Sequence, residues 1–343
     1  MQVFHSDAHI QHAPPFEIFD GGEKIPNFES PERMERILAA LRSSGNFEIL
    51  PPEDFGLTPI LAIHDQGYLD FLASAYAEWM QEPTPYEKSA LIPATFPPGG
   101  WRNHIPTSVL GKAGYYVMDL AAPIAAGTFS AALASANCAL SGAAALAAGS
   151  RAIFALCRPP GHHAGRANCG GYCYLNNAAI AAQWLSRHGN VAILDIDYHA
   201  GNGTQEIFFS RADVLTISLH ADPNEEYPYF AGYADETGAG AGLGFHRNFP
   251  LPLGADDALY LQTLSQACEL IRAFAPQALV VSAGMDIYGE DPLGRIRVSR
   301  EGISQIGKMI AGLNLPTLVV MEGGYNNDAL GKNVVAFLSS FPA

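Results

Sequence analysis

The residues with the clearest chemistry follow an apolar run at positions 191–194, where two carboxylates and one imidazole stand close together: Asp195, Asp197 and His199. Side chains two positions apart on an extended chain point to the same side, so Asp197 and His199 can share one ion. A second apolar run ends at Asp286, which offers a third ligand. Two carboxylates and one imidazole suit Zn²⁺ with one position open to water and substrate. Helix capping by the aspartates is the alternative, and three polar strand ends in one chain argue against it.

Two further segments place polar groups after apolar runs. A Pro and Gly loop after residues 152–156 carries adjacent histidines, His162 and His163. Adjacent side chains diverge, so we expect an acid/base pair rather than two ligands of one ion; one packed and one solvated histidine is the alternative. Asp195 and Asn202 are available to orient the imidazoles. After residues 318–321, two glycines permit a sharp turn that exposes the phenol of Tyr325, which can polarise a carbonyl.

These groups need a scaffold of alternating strands and helices. Continuous apolar, β-branched runs predict strands covered on both faces, hence a mainly parallel sheet, at residues 152–156, 191–194, 214–219, 278–282 and 318–321. Helices are predicted at residues 31–43, 68–80, 131–148, 177–188, 257–274 and 300–311. The fold class is therefore α/β, with helices on both faces of the sheet. Ligands of such folds bind at the carboxyl ends of the strands, where every polar cluster above falls.

Composition narrows the function classes. The chain has 343 residues, of which 48% are hydrophobic and 15% charged, and we expect a single catalytic domain over residues 1–343. Acidic residues outnumber basic ones by 34 to 19, and no Lys/Arg cluster suggests nucleic acid as a partner. No stretch is expected to span a membrane, and the alanine-rich run at 131–149 favours a helix packed on a sheet. Five cysteines, an odd number in apolar surroundings, indicate reduced thiols and a cytoplasmic location.

Residues 81–108 interrupt the alternation of strands and helices. The segment contains several prolines, Gly99, Gly100 and the apolar Phe96, Trp101 and Ile105. A connection of this length is usually functional or disordered. Its stiff and apolar character favours an ordered insertion at the site mouth or at a subunit contact.

Taken together, the motifs resemble the histone deacetylase and acetylpolyamine amidohydrolase family, which has the arginase/deacetylase fold. The resemblance covers most of the chain, and the motifs that carry it are Phe28-Glu-Ser-Pro-Glu-Arg33, His64-Asp-Gln-Gly-Tyr-Leu69, Arg158-Pro-Pro-Gly-His-His-Ala164, Gly170-Gly-Tyr-Cys-Tyr-Leu-Asn-Asn177, Asp195-Ile-Asp-Tyr-His199, Ser218-Leu-His220, Asp286 and Glu322-Gly-Gly-Tyr325. The Gly-Gly-Tyr-Cys segment and Asp222-Pro-Asn-Glu-Glu-Tyr-Pro228 look most similar to the bacterial acetylpolyamine branch.

The resemblance implies a role for each matching residue. The metal ligands would be Asp197, His199 and Asp286, with Zn²⁺ and Fe²⁺ both open as the native metal. His162 and His163 would form the acid/base pair, Tyr325 the electrophilic partner, and Asp195 and Asn202 the groups that orient the histidines. The substrate tunnel would be lined by Phe28, Gly171, Tyr172 and Tyr227. A structural K⁺ would lie among main-chain oxygens of Asp195, Asp197, His199, Ser218 and Leu219. In the acetylpolyamine branch the insertion forms a homodimer that narrows the entrance.

Three departures from the family pattern bear on the substrate. Ala200 stands where many relatives carry a second histidine. Asn202 replaces an aspartate of many histone deacetylases, and a neutral partner raises imidazole basicity less than a carboxylate does. Asp119 is the only acid in residues 103–121, where acetylpolyamine enzymes place carboxylates for a distal ammonium group.

A two-metal arginase site needs carboxylates where this chain has Gly201 and Tyr288, so we expect one metal ion rather than two.

The sequence thus predicts a metal-dependent hydrolase acting on linear amides. The first expected substrate is an acetylated polyamine, a small cationic amide. Other small or xenobiotic amides and acetyl-lysine are the alternative, and a non-enzymatic scaffold is disfavoured by the intact set of site residues. A structural zinc at Cys169 and Cys173 is also disfavoured, because no second cysteine pair stands at finger spacing.

Overall fold

The computed structural model of the chain describes residues 1–98 and 102–342. At its centre is an eight-stranded sheet in which each pair of neighbouring strands is parallel. The order across the sheet is β4-β1-β5-β10-β9-β6-β7-β8, with the ranges β1 Gln2–Phe4, β4 Glu48–Leu50, β5 Ala152–Ala155, β6 Val191–Asp195, β7 Val214–Ala221, β8 His246–Leu251, β9 Ala278–Ala283 and β10 Thr317–Met321. A separate antiparallel ribbon joins β2 Glu17–Phe19 to β3 Glu23–Ile25.

Helices cover both faces of this sheet. Their ranges are α1 Glu32–Ser44, α2 Thr58–Leu61, α3 Gln66–Gln81, α4 Val109–Tyr116, α5 Thr128–Ala147, α6 Asn177–Leu185, α7 Asn202–Phe208, α8 Asp257–Phe274, α9 Arg300–Ala311 and α10 Asn327–Leu338. Short 3₁₀ turns occupy Asp7–Gln11, Asp20–Gly22, Ser186–His188 and Gly240–Gly242. The expected three-layer architecture with a mainly parallel sheet is confirmed.

Successive residues of a strand pack into two separate hydrophobic cores, one on each face of the sheet. On β6, Val191 and Ile193 pack in one core, whereas Ala192 and Leu194 pack in the other. The first core contains side chains from α2 to α7, and the second contains side chains from α1, α8, α9 and α10. Side chains alternate between the faces of a strand, so a strand buried on both faces needs apolar residues at every position. This is why the strands appear in the sequence as continuous apolar runs.

Helix α5 has the length and composition of a membrane span, although the sequence was expected to contain no such stretch. Over its most apolar part, however, 61% of its residues are buried inside the fold. Gly142 lies against the sheet, where a Cβ atom would meet Leu318 at 2.5 Å. The small residues therefore serve the close approach of helix to sheet that the sequence predicted.

The insertion at 81–108 is described except for Gly99, Gly100 and Trp101. The prediction of an ordered insertion also named these three, and for them it lies outside the described residues. Leu91 is buried and pairs with Ile124 through two backbone hydrogen bonds. Tyr86, Phe96 and Ile105 instead expose 71%, 42% and 54% of their surface. Part of the insertion is thus anchored to its own chain while apolar side chains remain open to solvent.

Candidate metal centre and active site

The sequence-predicted site residues converge at the carboxyl edge of the sheet. Strand β6 lies between β7 and β9, and Asp195 is in register with Ser218 on one side and Ser282 on the other. Asp197 follows β6 and Asp286 follows β9, so two neighbouring strand ends place these carboxylates together. The residues after β5 and β10 arrive from the other side of β9. The parallel pairing of these strands thus brings side chains that are far apart in sequence to the same edge of the sheet.

Asp197, His199 and Asp286 form a compact set of donor atoms that lie within 4.8 Å of one another. His199 Nδ1 lies 3.3 Å from Asp197 Oδ1 and 3.4 Å from Asp286 Oδ2. Asp197 does not cap the following helix; its oxygens accept hydrogen bonds from the backbone N–H groups of His199 and Gly323. These bonds hold the carboxylate in place beside the imidazole.

Three observations show that these residues fit a divalent metal. Asp286 Oδ2 is buried and, among the described residues, accepts no hydrogen bond. Two glycines keep the carboxylates accessible: a Cβ atom at Gly284 would lie 2.0 Å from Asp197 Oδ2, and one at Gly323 would lie 2.3 Å from Asp286 Oδ2. The donor set of two carboxylates and one imidazole is one that metals of the zinc type accept.

The electrostatics of this set favour a bound cation as well. Burial, followed by repulsion from Asp197, raises the pKa of Asp286 to about 7. Burial disfavours a charged imidazole at His199, but the carboxylates of Asp197 and Asp286 outweigh it and raise its pKa to about 9. At Asp197 burial is likewise outweighed, by the imidazoles of His162 and His199, and the pKa falls below its usual range. A divalent cation would relieve the repulsion between the two carboxylates.

The two loop histidines face different partners, as adjacent side chains should. His162 Nδ1 lies 3.0 Å from Asp195 Oδ2, and His163 Nδ1 lies 2.7 Å from Asn202 Oδ1. Their ring centroids are 3.9 Å apart, and His163 is 5.9 Å from the ring of His199. Asp195 and Asn202, the two residues predicted to orient the histidines, therefore each contact one of the imidazoles. Each contact occupies Nδ1; the Nε2 of His162 lies 3.7 Å from Asp197 Oδ1, and His163 lines the cavity.

The environments of the two imidazoles push their pKa values apart. At His162 burial opposes the charge, but the carboxylates of Asp197 and Asp195 outweigh it and raise the pKa well above its usual value. At His163 burial and the neighbouring His162 and His199 lower the pKa well below its usual value. Such a pair separates a charged imidazole from a neutral one, which is the arrangement that acid/base chemistry uses.

Tyr325 lies on the turn after β10, and the side chain of Arg33 holds that turn through hydrogen bonds to its backbone. Arg33 Nε donates to Gly324 O at 2.7 Å and its Nη2 donates to Glu322 O at 2.6 Å. The guanidinium carbon also lies 4.8 Å from the centroid of the Tyr325 ring. Burial raises the pKa of Tyr325 well above its usual value, so the phenol keeps its proton and can donate a hydrogen bond.

The side chains of Tyr325, His163 and His199 line one cavity of about 510 Å³. Three of the four predicted tunnel residues, Gly171, Tyr172 and Tyr227, line it as well. The fourth, Phe28, is not among the described lining residues; its ring lies 6.0 Å from that of Phe19, which does line the cavity. The wall residues that sequence reasoning missed come from the β2 ribbon and from three loops: Ile18, Phe19, Leu120, Ala121, Glu226, Tyr229, Pro292, Leu293 and Arg295.

Gly171 and Tyr172 both adopt positive φ angles, of 51° and 67°. At Gly171 there is no room for a side chain, because a Cβ atom would lie 2.4 Å from His163 Cδ2. A tyrosine in this region of backbone space is uncommon and needs support from its surroundings. The support comes from Asp119, whose Oδ2 accepts the Gly171 N–H and the Tyr227 O–H, each at 2.7 Å.

Asp119 thus has a function that the sequence did not reveal. Its Oδ1 accepts a third hydrogen bond, from the N–H of Ala121 at 2.9 Å. Sequence reasoning treated Asp119 only as a residual acid for a distal ammonium group. The structure instead places it as the acceptor that joins two neighbouring parts of the cavity wall, Gly171 and Tyr227. No local signal could have identified this, because the partners lie 52 and 108 positions away.

A second group of metal-type side chains consists of His162, from the histidine pair, with Cys173 and Glu322. Glu322 Oε2 accepts the N–H groups of Gly161 and His162 at 2.7 and 3.2 Å, so it holds the turn that presents the histidines. Burial raises the pKa of Cys173 well above its usual value. Glu322 is thus engaged by two backbone donors and His162 by Asp195, so two of the three members of this group already have internal partners.

Comparisons with known proteins agree with this site. The Histone deacetylase domain family matches residues 27–341. The chain is 48% identical to acetylpolyamine amidohydrolase 1 of Pseudomonas aeruginosa over 99% of both chains, and 43% identical to the acetylpolyamine amidohydrolase of Mycoplana ramosa over 98% of both. The crystal structure of an acetylpolyamine aminohydrolase from Burkholderia pseudomallei superposes with a TM-score of 0.95 at 41% identity, covering 100% of this chain and 99% of that one.

These matches confirm the family and the hydrolytic deacetylase activity expected from the sequence. They also imply a metal cofactor, for which the three-residue set described above is the fitting location. The chain belongs to the histone deacetylase family.

Proposed function

We propose that this deacetylase hydrolyses the acetyl amide of an acetylated polyamine. The observation that carries the proposal is that one cavity is lined together by His199 of the metal-type donor set, by His163 of the histidine pair and by the buried phenol of Tyr325. The substrate class is supported by the names of the full-length relatives, which are acetylpolyamine amidohydrolases.

The metal would be held by Asp197, His199 and Asp286. We favour Zn²⁺, because three protein ligands with an open position are typical of its catalytic sites, and Fe²⁺ is the alternative. When bound, the metal would supply polarisation of the amide carbonyl and a lowered pKa for its water. We also propose a structural K⁺ near the end of β6, among main-chain oxygens of Asp195, Asp197, His199, Ser218 and Leu219. The pairing of Asp195 with Ser218, which supports this, brings the end of β6 beside the middle of β7.

Protons are moved by the histidine pair. His163 lines the cavity and keeps a lowered pKa, so its neutral Nε2 accepts the proton of the attacking water. His162, whose Nδ1 is paired with Asp195, assists from the neighbouring position, with its ring centroid 3.9 Å from that of His163. His163 then delivers the proton to the departing amine. The Tyr325 O–H donates a hydrogen bond to the amide oxygen as negative charge develops there, and Arg33 holds the turn that carries Tyr325.

The tunnel would admit a slender acyl group. Tyr172 and Tyr227 flank it with aromatic rings, Gly171 allows the wall to approach His163, and Phe28 contributes through its contact with Phe19. A small neutral amide is the second candidate substrate, because Asp119 is committed to internal hydrogen bonds.

We also propose that the insertion at 81–108 assembles a homodimer that narrows the cavity mouth, in a cytoplasmic enzyme. Among the described residues, none of the insertion lines the cavity of its own subunit, which is compatible with an approach to the mouth from a second subunit. Its exposed Tyr86, Phe96 and Ile105 supply apolar contact area. Replacing these three residues with serine should give a monomer in light scattering and better cleavage of bulky acetyl-lysine peptides; an unchanged dimer with unchanged selectivity would refute this.

The reaction is tested with the metal-loaded protein and three substrates. Mono-acetylated 1,4-diaminobutane, an acetyl-lysine peptide and N-butylacetamide are compared by acetate release, before and after removal of the metal by a chelator. We expect metal-dependent cleavage with the highest kcat/KM for the acetylated diamine. Cleavage of the peptide alone would contradict the substrate class. Absence of acetate release from all three at full metal occupancy would contradict the reaction and favour a binding scaffold.

A further inference from the structure

The cavity has two acids among its described lining residues, Asp119 and Glu226. Asp119 is already the acceptor for three internal donors, from Ala121, Gly171 and Tyr227. Recruiting it for a substrate ammonium would disturb the wall that it holds together. Glu226 is therefore the remaining acid that can meet a cationic substrate group at the mouth.

Glu226 is itself engaged by Arg295. Arg295 Nε donates to Glu226 Oε1 at 2.5 Å, and its Nη2 donates to the same oxygen and, at 3.2 Å, to Glu225 O. Only 13% of the Glu226 side chain is exposed, against 57% for Arg295. The glutamate is thus part of the wall and the arginine lies on the rim. Both line the same cavity as His163.

We propose that the Glu226–Arg295 pair sets the charge selectivity of the enzyme: Glu226 is the acceptor for a distal substrate ammonium, and Arg295 competes with that ammonium for it. This rests on the proposed function of the cavity as a site for acetylated amines. Arg295 offsets the charge of Glu226, one of the two acids that line the cavity, although the whole chain carries a net charge of −15. The local charge at the entrance, rather than the overall charge, then determines the preference.

The pair has a matched control two residues away. Arg297 is exposed, donates to Gly289 O at 2.6 Å and is not among the described cavity-lining residues. Arg295→Gln and Arg297→Gln remove the same charge from the chain, but only the first removes it from the mouth. Glu226→Gln removes the proposed acceptor.

The test uses binding as well as turnover. Two hydroxamates of equal length, one ending in an ammonium group and one in a methyl group, are titrated by calorimetry into the metal-loaded protein and the three variants. We expect Arg295→Gln to raise the affinity ratio of cationic to neutral ligand about three- to tenfold, as for one unit charge at about 7 Å in a largely aqueous setting. Glu226→Gln should lower that ratio by a similar factor, and Arg297→Gln should leave it unchanged. The Arg295→Gln effect should shrink between about 0.01 M and 0.15 M salt.

The same ratio is measured as kcat/KM with the acetylated diamine and N-butylacetamide. A ratio in Arg295→Gln equal to that in Arg297→Gln would overturn the proposal. A loss of affinity for both hydroxamates alike, in either mouth variant, would assign the pair a structural function and overturn it as well. If the wild-type protein does not cleave the acetylated diamine, the proposed function fails, yet the hydroxamate ratios still decide whether the pair selects by charge.

Discussion

Replacing Asp119 by alanine should destabilise the protein and disable the tunnel together. The change removes the acceptor for the N–H groups of Gly171 and Ala121 and for the O–H of Tyr227. A hydrogen bond to a charged acceptor contributes about 1.5–3 kcal/mol, whereas burial opposes the carboxylate and raises its pKa. Setting this cost of burial against three such bonds, we expect a net loss of about 3–5 kcal/mol in the free energy of unfolding.

Two milder variants separate the individual bonds. Asp119→Asn keeps one oxygen, which can still accept from Gly171 and Tyr227, so it should cost about 1–2 kcal/mol through the lost bond to Ala121. Tyr227→Phe deletes only the hydroxyl and should cost a similar amount. Because the two groups touch, the double variant Asp119→Asn/Tyr227→Phe should depart from additivity by about 0.5 kcal/mol or more.

Urea denaturation measures the stabilities, and acetate release measures kcat/KM. Asp70→Ala is the control, since Asp70 is an exposed acid whose side chain is bonded to Gln66 on the same helix; it should change stability by no more than about 0.5 kcal/mol. If Asp119→Ala proved as stable as Asp70→Ala and equally active, Asp119 would not be the anchor of the tunnel.

Three other outcomes are expected. Asp286→Ala should lose both bound metal and turnover, and metal analysis after dialysis that found full occupancy would remove Asp286 from the ligand set. Tyr325→Phe should keep its metal but lose roughly 10²- to 10³-fold in kcat, the usual effect of one oxyanion donor, so near-normal turnover would remove Tyr325 from the mechanism. Burial raises the pKa of Glu17 from 4.5 to about 7, so its contribution to stability is complete below pH 4.5 and is lost as the pH rises through 7. Unfolding free energies of wild type should therefore fall about 3 kcal/mol more than those of Glu17→Gln between these pH values, and parallel curves would contradict the shift.

The sequence predicted the elements that are buried on both faces. Strands β5, β6, β7, β9 and β10 were found because each is a continuous apolar run between helices, and the predicted ranges agree with the structure within one or two residues at each end. Strands β1 and β4 are only three residues long, and β8 at the sheet edge contains Arg247, Asn248 and Pro250, so neither length nor hydrophobicity marked them. Helix α10 was also missed, although Asn326 caps it by accepting the N–H of Ala329. That cap was a readable signal.

The candidate site was predictable where a side chain acts from the end of its own strand. Asp197, His199 and Asp286 follow apolar runs directly, and the carboxyl edge of a parallel sheet brings such residues together. Asp119, Glu226 and Arg295 were not predictable in the same way. Their partners are set by loop paths, and no periodicity in the sequence encodes a contact such as that of Glu226 with Arg295, 69 positions apart.

The order of strands in the sheet differs from their order of synthesis. Strand β10, at Thr317–Met321, is inserted between β5 and β9, both of which precede it in the chain. During translation β5 and β9 therefore each wait with an unpaired edge until residue 321 has left the ribosome. Such edges pair readily with other chains, so the nascent protein is exposed to aggregation late in its synthesis. A chain that stops before Thr317 would lack the strand that connects the two halves of its sheet, and we expect chaperone dependence to be greatest at that stage.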